Sequence, residues 1–140
     1  MVSYGLYFFK FLTRGILIAL TLAQGAGIGH LLASVFTRHR LEVSLAAELR
    51  PLLPPNAVLF AFDIDVALRS YLPDVQIKNL WVRRYDDFPA GSFFLFNEPS
   101  LRGQWAGQNP MLNWEQVQRQ GHLEEKKMLP GGWRLYRVEK

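Results

Sequence analysis

The amino-acid sequence predicts a small α/β layer domain with a mixed sheet, behind one N-terminal transmembrane helix. Three observations carry that expectation. Gly15 to Phe36 holds no charged residue and stands between Lys10 and Arg14 on one side and Arg38, His39 and Arg40 on the other. About 20 apolar helical residues suffice to span the hydrocarbon core of a bilayer. Beyond residue 40, short apolar runs of strand type alternate with helical stripes, the pattern of layered α/β domains. Pro130-Gly131-Gly132 then separates two further strand-like runs, a hairpin signal. The expected division is a membrane anchor over 1–40, with its span at about 15–36, and a folded domain over 41–140.

Met1 to Leu12 is rich in aromatics and interrupted by Lys10, which suits an interfacial belt or an amphipathic segment. Within the span every backbone polar group must be paired internally, so the run is expected to be helical throughout. Gly25 and Gly29 are four apart, the spacing at which small residues let a second helix approach closely. Packing against a neighbouring membrane helix is therefore expected at Gly25 and Gly29. Gln24 and His30 are the polar intruders, read as a helix contact and an interfacial residue. A cleavable secretory leader ending near Ala23-Gln24-Gly25 is the rival reading. The apolar run continues past that point, which favours an uncleaved anchor.

The domain is read in order. Leu41, Leu45 and Leu49 form one apolar stripe of a helix that Pro51 and Pro54-Pro55 end. Asn56 to Ile64 is a nearly continuous apolar run, expected as an internal strand covered on both faces. Asp65 to Leu72 is a short helix with Asp65 as a possible N-cap. Val75 to Val82 is a second strand with a slip at Asn79, Arg83 to Gly91 a polar loop, and Ser92 to Phe96 a third strand. Asn97 to Pro110 reads as loop. Asn113 to Gln120 reads as a helix capped by Asn113 and stopped by Gly121. His122 to Leu129 and Trp133 to Val138 are the last two strands, and Trp105, Trp114 and Trp133 are expected as core or interface anchors.

Charge and composition narrow the function classes. Four of the 16 basic residues (Lys10, Arg14, Arg38 and Arg40) precede residue 41, so the remaining 12 balance the 12 acidic ones. The net charge of +4 belongs to the membrane flanks, which suits phospholipid head groups and argues against a nucleic-acid partner. Basic residues on both flanks leave the orientation undecided. The absence of cysteine excludes a disulfide frame and thiol chemistry, and the three histidines are scattered. No cofactor is expected.

Asp63-Ile64-Asp65 is the one catalytic-looking motif. Two carboxylates closing a buried strand suit a divalent metal, because hard cations want clustered oxygens. Haloacid-dehalogenase-type phosphatases and DxD glycosyltransferases use such pairs, but Ala67 stands where the first expects Thr or Val. The plainer reading is that Asp63 ends a strand and Asp65 caps a helix. Asp86-Asp87 reads as a solvated turn, and Lys126-Lys127 after Glu124-Glu125 as a charged outer strand face.

The order of apolar helix, amphipathic helix ending in proline, Val58 to Phe62 strand and Ala67 to Leu72 helix resembles the C-terminal end of certain polytopic membrane glycosyltransferases. These are the protein O-mannosyltransferases and aminoarabinose transferases, which take sugars from polyprenyl-phosphate donors. Leu45 to Leu49 resembles the helix before their terminal domain, Phe93 to Phe96 a later strand, and Arg134 to Val138 the final strand. The resemblance implies an extracytoplasmic α/β domain working beside a polytopic membrane partner. The family's catalytic acids belong to an early loop with no counterpart here, so no catalytic residue carries over. The implied role is an accessory domain, or the tail of a longer enzyme, that is not catalytic alone. An unrelated single-pass protein whose domain scaffolds a membrane complex is the alternative.

Overall fold

The computed structural model describes residues 27–29 and 31–139. The chain divides into two compact units, Met1–His39 and Arg40–Lys140. In the first, residues 27–29 and 31–39 are helical and all exposed. Ile28, Leu31, Leu32, Val35 and Phe36 are between 52% and 66% exposed. The two hydroxyls of this stretch turn back onto the helix, Ser34 Oγ donating to the Leu31 carbonyl at 2.8 Å and Thr37 Oγ1 to that of Ala33 at 2.9 Å. Among the described residues no helix is long and apolar enough to cross a membrane. Most of the expected span, with Gln24, Gly25 and His30, lies outside the described residues, as does Met1 to Leu12.

The second unit is an α/β fold around a five-stranded mixed sheet. Helix α1 covers residues 40–49 of this unit. It is followed by β1 (Val58–Ala61), α2 (Asp65–Tyr71), β2 (Gln76–Asn79), β3 (Phe93–Phe96), α3 (Glu98–Arg102), α4 (Asn109–Gln120), β4 (His122–Met128) and β5 (Arg134–Glu139). The sheet order is β2-β1-β3-β5-β4. β1 is parallel to both β2 and β3, β3 is antiparallel to β5, and β5 to β4.

The apolar run at β1 is continuous because both of its faces are covered. Leu59 and Ala61 enter one core with Leu45 and Leu49 of α1, Leu68 of α2, and Phe93, Leu95 and Leu135 of the sheet. Phe60 points to the opposite core, which holds Phe94, Phe96 and Val138 with Leu101 of α3 and Met111, Trp114 and Val117 of α4. Phe96 stacks on Trp114 at 4.8 Å between ring centroids, so the aromatic strand residues find a flat partner on the helix. The stripe read at Leu41, Leu45 and Leu49 is thus the buried side of α1, and the bracketing prolines follow its end.

Several boundaries differ from the sequence expectation. β1 and β2 are shorter than the apolar runs that contain them. Asn97 to Pro110 contains α3, capped by Asn97, whose Oδ1 accepts from the Ser100 amide. Helix α4 starts at Asn109, with Pro110 in its first turn where the missing N–H costs nothing. Asn113 is therefore internal to the helix rather than its cap, and is fully buried. The Pro130-Gly131-Gly132 turn is a short 3₁₀ segment in which both glycines have positive φ, 72° and 80°. β4 is exposed on nearly every residue, as its Glu-Glu-Lys-Lys run suggests.

The second unit has its own two-sided core, so residues 41–140 produced alone are expected to be soluble and to melt cooperatively by circular dichroism. An unfolded or insoluble fragment would show that the N-terminal residues belong to the folding unit.

Candidate functional site

The connections out of β1 and β2 cross opposite faces of the sheet. α2 packs in the α1-side core, whereas Leu80 and Phe88, between β2 and β3, pack in the other. The order β2-β1-β3 therefore places a topological switch between β1 and β3, and open α/β sheets bind ligands outside the carboxyl ends of their strands at such a point. Asp63 and Asp65 lie at this end.

Asp63 is exposed and adopts φ 73°, a left-handed conformation that Asp tolerates better than most residues. Asp65 is buried at 4% exposure as the first residue of α2. The position before it, Ile64, makes no side-chain cap, so Asp65 acts from inside the first turn. There its negative charge favours the helix dipole. Its Oδ2 accepts a 2.7 Å hydrogen bond from Asn79 Nδ2 and lies 3.7 Å from Arg69 Nη2. The expected cap is thus replaced by a tie between α2 and the end of β2. No group of three or more His, Cys, Asp or Glu that could hold a metal occurs among the described residues.

The end of β2 carries more structure than its sequence suggested. Asn79 Oδ1 accepts from the amides of Trp81 at 2.6 Å and Val82 at 3.3 Å, and the Asn79 carbonyl accepts from the Tyr85 hydroxyl at 3.0 Å. From the other side, Asn113 Nδ2 donates to the carbonyls of Leu80 and Arg83, both at 2.9 Å, while its Oδ1 accepts from the Tyr85 amide at 2.9 Å. Asn109 Nδ2 donates to the Trp81 carbonyl at 2.8 Å. Residues 80–85 form no helix or strand, yet side-chain amides supply the partners their backbone lacks.

This loop projects Trp81, which is 44% exposed, and Val82, which is 73% exposed. Trp81 stacks on Phe62 at 6.1 Å and meets Trp105 edge-on at 5.1 Å, while Phe62 and Trp105 are 5.0 Å apart. Rings this close touch one another, so they fill the crevice instead of caging a ligand. On the β3 side Asn97 Nδ2 donates to the Gly131 carbonyl at 2.9 Å and pins the hairpin turn. A cavity of about 450 Å³ lies at the opposite end of the sheet beside Asp87, Phe88, Gln120 and Glu139. The carboxyl end is a surface, with an aromatic cluster at its centre.

Of the positions expected to pack another helix, Gly25 lies outside the described residues. A side chain at Gly29 would meet nothing within 4 Å among them. Sequence reasoning did not single out Trp81 or Val82, and it read Asn113 as a helix cap. The slip in alternation at Asn79, followed by an aromatic, an apolar and two basic residues, was the available signal for the loop. No protein family, curated protein or solved structure matches this chain.

Two outcomes follow. Asn113→Ala leaves the buried Leu80 carbonyl and the part-buried Arg83 carbonyl and Tyr85 amide without their side-chain partner, and is expected to cost about 2 kcal/mol in urea unfolding; a loss below about 0.5 kcal/mol would mean that water replaces the amide freely. Asp65→Asn is expected to lower stability by about 1 kcal/mol through the helix terminus. Calorimetric titration with Mg²⁺ or Mn²⁺ should give no saturable site in the wild type. A site lost in both Asp63→Asn and Asp65→Asn would overturn that reading.

Proposed function

We propose that the chain is a membrane-anchored, non-catalytic accessory domain, or C-terminal tail, of a membrane glycosyltransferase that uses polyprenyl-phosphate-linked sugar. The observation that carries the membrane part is the uncovered apolar helix of the first unit. Ile28, Leu31, Leu32, Val35 and Phe36 stand at i, i+3, i+4, i+7 and i+8, one continuous apolar stripe of the helix, and none is buried. An apolar helix stripe that nothing covers suits a lipid or partner surface, and Ser34 and Thr37 satisfy their hydroxyls on the helix's own carbonyls, as lipid surroundings require. The uncharged stretch before it and the basic residues on both flanks fit the same setting.

The glycosyltransferase part rests on the resemblance in element order, to which the α/β fold of the second unit conforms in type. On this reading the domain lies outside the cytoplasm, and a polytopic partner supplies the catalytic acids. The small residues at Gly25 and Gly29 are the contact for a partner helix, and the open space at Gly29 is compatible with one.

Cross-linking and co-purification from native membranes test this. Wild type is expected to recover a polytopic protein that transfers sugar from a polyprenyl-phosphate donor. Gly29→Leu should weaken that association, because association within lipid depends on close backbone contact, and Val35→Leu should leave it intact. Association unchanged by Gly29→Leu, or a complex without such transfer, would contradict the proposal.

A further inference from the structure

We infer that the Trp81–Arg84 loop is a second membrane contact, resting Trp81 and Val82 at the head-group level of an anionic phospholipid bilayer with Arg83 and Arg84 against lipid phosphates. This rests on the anchored reading above and adds to it which end of the domain meets the lipid.

Exposure is the first ground. The large hydrophobic residues exposed in the second unit are Val43, Val66, Trp81, Val82 and Met128. Each belongs to the carboxyl end of the parallel strands. Val66 is in the first turn of α2, immediately after β1. Trp81 and Val82 follow the last residue of β2. Met128 pairs with Arg134, which pairs with Phe96 at the end of β3. Val43 lies in the first turn of α1, beside Leu41, whose Cδ1 would stand 3.0 Å from a Cβ on Gly131 in the turn that Asn97 pins. The opposite end, with Tyr71 to Asp74 and Asp86 to Gly91, exposes none among the described residues. An apolar set confined to one end of a domain marks a contact surface.

Connection is the second ground. The chain enters the second unit at that same end, at residues 40–41. From Phe36, the end of the uncharged run, to Leu41 is five residues, which span at most about 18 Å even when fully extended. The end carrying the exposed apolar set is thus the end at which the chain arrives from the uncharged run.

Chemistry is the third. Tryptophan favours the membrane–water interface, where its ring is apolar and its N–H is wet. Arg83 stacks its guanidinium over Tyr85 at 4.7 Å, and Arg84 makes no ion pair among the described residues. Guanidinium groups suit phosphate geometry, and basic residues at a membrane surface gain from anionic lipid. Because Asn79 and Asn113 already hold the loop, docking requires little further ordering.

The absence of native cysteine makes the test direct. Full-length Val82→Cys, Leu32→Cys and Asp87→Cys proteins are spin-labelled in nanodiscs of phosphatidylcholine and phosphatidylglycerol, and accessibility to oxygen and to a water-soluble nickel chelate is compared. The Val82 label is expected to favour oxygen, at a depth near the head groups, and the Leu32 label to lie deeper. The Asp87 label should favour the chelate. Adding Arg83→Gln and Arg84→Gln, or omitting phosphatidylglycerol, should return the Val82 label to water and leave the Leu32 label unchanged. A Val82 label as wet as that at Asp87, with Leu32 still in lipid, overturns the loop contact alone. A Leu32 label in water overturns the anchor as well. A Val82 label shielded from both reagents, independently of lipid charge, marks a protein partner or a second copy of the chain, and overturns the lipid assignment.

Discussion

A single buried amide holds together the carboxyl end of the parallel strands. Asn113 has no solvent exposure, and it spends both of its donors and its acceptor on a stretch of chain some 30 residues earlier. Without it, the Leu80 carbonyl would be buried with no partner, and the part-buried Arg83 carbonyl and Tyr85 amide would lose theirs. Buried polar groups of this kind stabilise only when fully paired, and here every capacity but one lone pair is used. Asn79 completes the arrangement from the sheet side, tying the loop to α2 through Asp65. Two amides thus turn an irregular segment into a fixed part of the fold.

The sheet explains why the fixed loop stands where it does. β1 is covered on both faces, so its neighbours β2 and β3 must be reached by connections on opposite sides. That geometry opens a crevice at the carboxyl ends, where many α/β proteins hold a small ligand. Here Phe62, Trp81 and Trp105 close it with their own rings. What remains is an outward-facing platform with an aromatic centre and adjoining guanidinium groups. A platform recognises another surface, whereas a pocket encloses a molecule. The same end receives the chain at residues 40–41.

Much of the architecture was legible in the sequence because it is written in local period. The run at 58–61 is apolar at every position, which only an internal strand requires. The stripe at Leu41, Leu45 and Leu49 has one face to bury, and the two glycines after Pro130 supply the positive φ that the final turn needs. The misreadings have equally specific causes. α3 is five residues long, too short to show a period. Asn113 stands four residues after a good start signal, Asn109-Pro110, and resembles a cap only if its distant partners are unknown. Asp65 likewise looks like a cap, yet its bond goes to Asn79, fourteen residues on. The end of β2 was read too long because Leu80, Trp81 and Val82 are apolar, and local pattern does not separate a buried strand residue from an apolar side chain presented outward.

Native-state hydrogen exchange on the amides of Trp81 and Tyr85 tests the central constraint most directly. These amides point at the side-chain oxygens of Asn79 and Asn113 and belong to no regular element. If the two asparagines make the loop part of the cooperative fold, both amides exchange only as slowly as those of β1 and β3, near the global unfolding limit. Exchange at the rate of an open loop, with β1 and β3 still protected, would contradict that account and leave Trp81 on a segment without a fixed position.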